Sequence, residues 1–300
     1  MTTATLDTPA ATFDVKDVEY LRDGDKPLLA RVFIPHGAGP YPALVECHGG
    51  AWCMSDRFSE KLRHEYMAAH GIVSIALDFR SGETDPYPAS VQDINYAVRW
   101  AMANARELKT RPELIGLSGQ SSGGHLAMLV AMRPNDPRYA AMPLPAGSPA
   151  RDASVACVVM SWPVINPLSR YRLATRAAAE ANPPEWPKGI IARHDSYWQS
   201  EANMAEGNPM LALERGEKVL LPPAIWFQGR NDMMHDYKDL DSDFPGNEPQ
   251  RFVANYRKAG GEIALEYIAM ERHAGHTPDL SQTGDMFERM AAWVRAHVTT

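Results

Sequence analysis

Short apolar runs and amphipathic segments alternate along most of the chain. The apolar runs are nearly continuous, which predicts strands covered on both faces, and they lie at residues 41–47, 72–79, 113–117, 155–162, 223–228 and 262–270. Segments between them, such as 58–69 and 90–108, are predicted helices, the second with apolar residues at helical spacing. Val18–Tyr20 and Leu29–Ile34 alternate around an Asp-Gly-Asp turn and predict a strand pair. The pattern therefore predicts an α/β fold with a mainly parallel, doubly wound sheet flanked by helices.

The alternation breaks down between residues 163 and 221. This stretch is rich in Pro, Ala and aromatic residues and contains helical patterns, such as Tyr171–Ala181, but no strong strand pattern. We interpret it as a helical cap insertion, with the core at about residues 14–162 and 222–300. The chain of residues 1–300 is then a single domain.

Composition and charge exclude several classes of function. The chain has 300 residues, is 45% hydrophobic and carries a net charge of −7 without a basic run, so we expect no nucleic-acid partner. No apolar run approaches the ~18 residues of a membrane span, and Met1–Phe13 lacks the pattern of a secretory signal. Cys47, Cys53 and Cys157 fit reduced thiols, and we expect a cytoplasmic protein without a metal site.

Gly119-Gln-Ser-Ser-Gly123 is a G-x-S-x-G motif between a predicted strand and a predicted helix. A serine at such a junction lies on a sharp turn, which needs small neighbours, and Gly119, Gly123 and Gly124 provide them. The motif predicts that Ser121 is a nucleophile.

A nucleophilic serine requires a base, and the base is best oriented by a carboxylate. In an α/β sheet such groups follow the carboxyl ends of strands. Asp232 follows the strand at 223–228, and His276 follows the strand at 262–270, so we predict these two as acid and base. Asp236 and His273 remain as alternatives in the same two loops.

His48-Gly-Gly-Ala-Trp52 directly follows a predicted strand and can form an oxyanion hole. Two glycines let the main chain approach a ligand closely. We predict that the N–H groups of Gly50, Ala51 and Ser122 bind the oxyanion of a tetrahedral intermediate. We assign their neighbours to substrate binding, namely Gly49, Trp52 and Gln120. Further aromatic residues of the predicted cap could line an acyl or alcohol pocket, namely Trp162, Tyr171, Trp186, Tyr197 and Trp198.

These motifs together resemble those of α/β-hydrolases, in particular hormone-sensitive-lipase-like and BD-FAE-like carboxylesterases. The resemblance rests on the oxyanion loop, on Asp78-Phe-Arg80, on Tyr87-Pro-Ala with Asp93, and on the motif around Ser121, in order from about residue 28 to 300. Gln120 and Ser122 stand where this group usually has Asp and Ala. The resemblance implies hydrolysis of small-molecule carboxylic esters without metal or cofactor, and it allows a homodimer formed through a terminal strand or the last helix.

Three functions are consistent with the sequence. A serine carboxylesterase acting on small to medium acyl groups through an acyl-enzyme is the first. A serine amidase or arylformamidase with the same triad is the second, because Gly-Gly-His-Leu-Ala after Ser122 also resembles kynurenine formamidases. The third is a hydrolase fold without activity that serves as a binding protein.

Overall fold

The computed structural model of the protein describes residues 11–230, 232–268 and 284–298, and within these ranges eight strands form one sheet. The strands are β1 (Phe13–Asp23), β2 (Lys26–Pro35), β3 (Ala43–Cys47), β4 (Val73–Leu77), β5 (Ile115–Gln120), β6 (Val158–Ser161), β7 (Ala224–Gly229) and β8 (Ile263–Ile268). Their spatial order is β1-β2-β4-β3-β5-β6-β7-β8.

The sheet is mainly parallel. β1 and β2 form an antiparallel hairpin, with Phe13 opposite Pro35, and β2 runs antiparallel to β4. All other neighbouring strands in the described sheet are parallel. The predicted fold class is therefore confirmed.

Helices connect and cover the strands. In chain order they are α1 (Lys61–Ala69), α2 (Ala89–Ala103), α3 (Ser122–Met132), α4 (Pro167–Ala178), α5 (Trp186–Trp198), α6 (Glu201–Glu206), α7 (Pro209–Glu214), α8 (Glu248–Lys258) and α9 (Gly284–His297), with a short 3₁₀ turn at Pro112–Leu114. Local sequence sets several starts: α8 begins with a capping box of Asn247 and Gln250, and Asn166 caps α4 by accepting the N–H of Ser169. None of the helices in these described ranges has the length and apolarity needed to span a membrane.

Alternate residues of the central strands point to opposite faces of the sheet, which places apolar side chains in two layers. Val45 of β3 packs in the layer with the apolar residues of α2 and α3. Leu44 packs in the layer that contains Met67 of α1 and Met290 of α9. Every residue of β3 and β4 is buried, which explains their nearly continuous apolar sequence.

The segment predicted as a cap forms α4, α5, α6 and α7 between β6 and β7. We call residues 163–221 the insertion. The described residues of this segment include no strand.

One helix begins later than its sequence pattern predicts. α1 starts at Lys61 and not at Phe58, because Glu60 adopts a left-handed conformation with φ of 58°. The ring of Phe58 instead lies between the guanidinium groups of Arg31 and Arg57.

Candidate active site

Ser121 lies on a sharp turn between β5 and α3. Its φ of 52° and ψ of −120° are strained for a non-glycine residue, and its N–H donates to the carbonyl of Ser161 at 2.9 Å. The turn closes only because its neighbours lack side chains. A Cβ at Gly119 would lie 2.4 Å from the carbonyl carbon of Gly123, and a Cβ at Gly123 would lie 2.1 Å from the carbonyl oxygen of Cys47.

The side chain of Ser121 begins a chain of hydrogen bonds through His235 to Asp232. Ser121 Oγ lies 3.0 Å from His235 Nε2, and His235 Nδ1 lies 2.8 Å from Asp232 Oδ2. When Nδ1–H donates to the carboxylate, Nε2 is left as the acceptor for the serine hydroxyl. The arrangement therefore has a hydroxyl, a base and an orienting carboxylate in series.

The loop after β7 holds Asp232 and His235 in one tight turn. The N–H of His235 donates to the carbonyl of Asp232 at 3.0 Å, and the N–H of Met234 donates to Asp232 Oδ1 at 3.1 Å. Asp232 is completely buried and His235 nearly so. Sequence reasoning missed His235, although its position three residues after a predicted acid in the same loop was a usable signal.

The other predicted candidates for acid and base were His276, His273 and Asp236. His276 and His273 lie outside the described residues, so their roles stay predictions. Asp236 bonds to the amide of Asn247, which also donates to the hydroxyl of Tyr267 at 2.9 Å. The carboxylate of Asp236 therefore bonds to different groups from those that the carboxylate of Asp232 contacts.

The loop after β3 has three consecutive residues with positive φ: 98° at Gly50, 51° at Ala51 and 62° at Trp52. Glycine is required at the first, because a Cβ there would lie 2.2 Å from the carbonyl oxygen of Met54. The N–H groups of Gly50, Ala51 and Ser122 make no hydrogen bond to a main-chain carbonyl of the described residues. Their role as donors to an oxyanion stays a prediction.

Gly49 lies against the serine turn. A Cβ at Gly49 would be 3.2 Å from the carbonyl oxygen of Gln120 and 3.4 Å from the Cβ of Ser121. The side-chain oxygen of Gln120 is buried and makes no hydrogen bond to the described part of the chain. Two of the three residues predicted to bind substrate, Gly49 and Gln120, thus neighbour Ser121, although their contacts with a substrate stay predictions.

The expectation that Trp52 lines the substrate site stays a prediction, and in this structure the residue is buried. Only 1% of the residue is exposed, because its ring packs beneath the insertion and its Nε1–H donates to His125 Nδ1 at 3.2 Å. Of the aromatic residues in the predicted cap, Trp162, Tyr197 and Trp198 are buried as well.

Arg80 and Asp78, which carried part of the resemblance, form ion pairs around the site. Arg80 Nη2 bonds to Asp93 at 2.7 Å, and Arg57 Nη1 bonds to Asp78 at 2.6 Å. Burial raises the pKa of Asp93, although its bonds to Arg80 act in the opposite direction. His48 stacks on Phe79 at 4.0 Å, and burial lowers the pKa of its imidazole. The stacking of His48 on Phe79 joins the segments that directly follow β3 and β4.

Groups that could bind a metal are dispersed in the described part of the chain, where no three His, Cys, Asp or Glu side chains gather as a metal site. Cys47, Cys53 and Cys157 are free thiols, and the first and last are buried.

Comparison with known proteins identifies the family to which this chain is similar. The family model BD-FAE matches residues 32–239. Esterase LipC of Mycobacterium tuberculosis is 36% identical over 121 residues, which are 40% of this chain and 29% of LipC. Carboxylic ester hydrolase LipN of the same organism is 31% identical over 249 residues, or 81% of this chain and 60% of LipN. The matches thus span less than two thirds of these relatives.

Solved structures share the fold over nearly the whole chain. The carboxylesterase EstE1, cloned from a metagenomic library, superposes with a TM-score of 0.70 at 19% identity and covers 97% of this chain and 91% of its own. At this identity the similarity establishes an α/β-hydrolase fold.

Proposed function

Because the chain belongs to the BD-FAE family of α/β-hydrolases, we propose that it is a serine carboxylesterase that acts through an acyl-enzyme. The observation that carries the proposal is the hydrogen-bonded series of Ser121, His235 and Asp232, with distances of 3.0 and 2.8 Å. The names of the relatives LipC and LipN, an esterase and a carboxylic ester hydrolase, support the same chemistry.

In the first step, Ser121 Oγ attacks the ester carbonyl while His235 Nε2 takes the hydroxyl proton. The resulting imidazolium is stabilised by the buried carboxylate of Asp232, which also keeps Nδ1 protonated and the ring in orientation. His235 then donates its proton to the leaving alcohol. Water repeats the sequence on the acyl-enzyme and releases the acid.

The negative oxygen of the tetrahedral intermediate would be bound by the N–H groups of Gly50, Ala51 and Ser122. Removal of one such donor typically lowers kcat by a factor of about 10²–10³. The positive φ values of Gly50 and Ala51 support this role, because a strained main chain is maintained where function requires it.

We further propose that the substrates carry small to medium acyl groups. Gly49 adjoins both the Cβ of Ser121 and the carbonyl of Gln120, so main chain and a short amide side chain border the nucleophile there. Hydrolysis of p-nitrophenyl acetate, butyrate and octanoate measures the acyl length that the site accepts.

The proposal is tested by Ser121→Ala in the same assay. We expect kcat to fall by a factor of about 10⁴–10⁶, as loss of a triad nucleophile causes. Ser74→Ala, which alters a buried serine on β4 outside the site, is the matched control. Equal rates for Ser121→Ala and the wild type would contradict the proposal. Turnover of a formanilide well above that of every ester would replace it with the arylformamidase alternative.

The identity of the acid is tested by a second pair of variants. Asp232→Asn should lower kcat by a factor of about 10⁴, because an amide stabilises the wrong imidazole tautomer. Asp236→Asn should lower it far less, because that carboxylate bonds to Asn247 and not to the imidazole. The reverse order of losses would transfer the acid role to Asp236.

A further inference from the structure

We propose that the insertion holds the oxyanion loop in its strained conformation through a buried pair, Trp52 and His125, which makes both residues positioning residues for catalysis. This inference rests on the proposed function and deepens it. It assigns the helical insertion a role in organising the transition-state site, in addition to any role in covering the substrate.

One residue, His125, connects three parts of the site. His125 Nε2–H donates to the carbonyl of Gly207 in the insertion at 2.7 Å, which leaves Nδ1 to accept the indole N–H of Trp52 at 3.2 Å. The main-chain N–H of His125 donates to the carbonyl of Ser121 at 3.2 Å. The insertion, the oxyanion loop and the serine turn are therefore linked through a single residue, the first two by its imidazole and the third by its main chain.

The ring of Trp52 is enclosed by side chains of α4 and α5. Tyr197 stacks parallel to it, with centroids 5.9 Å apart, and Trp198 and His194 meet it edge-on at 5.3 and 5.0 Å. The guanidinium of Arg170 lies 5.2 Å from its centroid. All four of these ring contacts come from the insertion, and they add to the hydrogen bond that the indole makes with His125 of α3.

A fixed indole fixes the main chain that precedes it. Trp52 directly follows Gly50 and Ala51, the two loop residues whose N–H groups would meet the oxyanion, and all three have positive φ. The carbonyl of Trp52 accepts the N–H of Gly82 at 2.9 Å, which fastens the same peptide on its other side. Because a displacement of about 1 Å can cost two orders of magnitude in rate, loosening Trp52 should reduce transition-state stabilisation more than substrate binding.

The experiment compares substitutions that break individual bonds of the pair. Trp52→Phe removes the indole N–H and keeps an aromatic ring. His125→Asn keeps an oxygen near the position of Nδ1, which can still accept from Trp52, whereas His125→Gln keeps a donor near the position of Nε2 for Gly207. Trp226→Phe is the matched control, because it also deletes a buried indole N–H bond, to Gln228 at 2.9 Å, but lies outside the site.

We expect Trp52→Phe and His125→Gln to lower kcat for p-nitrophenyl butyrate by about 10- to 100-fold, with KM changed by less than about threefold. Inhibition by a trifluoromethyl ketone, whose adduct with serine carries the oxyanion, should weaken by a similar factor. His125→Asn should lose less than His125→Gln, and Trp226→Phe should keep the wild-type kcat.

The inference is overturned if Trp52→Phe and Trp226→Phe have the same kcat, or if the Asn and Gln variants at position 125 are equally impaired. Should Trp52→Phe fail to fold, the pair of variants at position 125 decides alone. These outcomes leave ester hydrolysis by the wild type intact. If the wild type neither hydrolyses esters nor reacts with a fluorophosphonate, the proposed function fails and this inference fails with it.

Discussion

Acid should destabilise the protein through His125. The residue is completely buried, and burial lowers the pKa of its imidazole to about 3, with the charge of Arg170 acting in the same direction. The unfolded chain, in which a histidine titrates near 6.5, therefore binds a proton that the folded protein does not. The stability that the neutral form contributes is complete above pH 6.5 and is lost progressively as the pH falls from 6.5 toward 3.

The size of the effect follows from the two pKa values. At pH 5 an unfolded imidazole is about 97% protonated, whereas the folded one is almost entirely neutral, and the difference amounts to about 2 kcal/mol relative to pH 7.5. His125→Asn keeps the acceptor for Trp52 but cannot titrate. The variant should therefore lose about 2 kcal/mol less than the wild type over the same pH interval.

Urea unfolding followed by tryptophan fluorescence at pH 7.5 and pH 5 measures both losses. Burial also lowers the pKa values of His48 and His194, but these residues are present in both proteins and cancel in the comparison. Equal losses of unfolding free energy in the wild type and in His125→Asn would refute the reasoning. A larger loss in the variant would contradict its sign.

Two further predictions concern the base and the serine turn. His235→Asn should lower kcat/KM by a factor of about 10⁴, because His235 contacts the serine hydroxyl. The loss should exceed that of His276→Asn, and hydrolysis of p-nitrophenyl butyrate by both variants measures the difference. A larger loss for His276→Asn would assign the base to that residue. Gly123→Ala should destabilise the protein by more than about 4 kcal/mol, because its Cβ would lie 2.1 Å from the carbonyl of Cys47. Thermal unfolding checks this against Gly189→Ala, a helical position with room for a Cβ, and equal melting temperatures would contradict the clash.

Much of the fold was predictable because its strands are buried on both faces. β3, β4 and β7 are buried at every position, and such strands require apolar runs that are easily recognised. The ends of helices and strands were less predictable, since each depends on the conformation of a single residue. The left-handed Glu60 delays the start of α1, although the residues before it fit a helical pattern.

The serine turn was predictable because its glycines serve a local purpose, whereas the position of the proposed base, His235, depends on a tertiary contact. Ser121 and His235 are 114 residues apart in sequence, and no local pattern records their distance of 3.0 Å. The burial of Trp52 beneath the insertion could not be predicted for a related reason. An aromatic residue next to a predicted oxyanion loop suggests a substrate contact, but the helices that bury it come from a segment without clear periodicity.

The spacing of Asp232 and His235 has a consequence for how the site tolerates change. The two side chains are three residues apart, so one short turn sets their separation. Closing a turn of this length costs little chain entropy. An acid and a base on separate loops would need two distant segments to dock accurately. Here both side chains belong to one turn, so the fold has to set only one further distance, that between the imidazole and the serine. Substitutions in β8 and α9 should therefore alter the stability of the fold before they alter the geometry of this proposed acid–base unit.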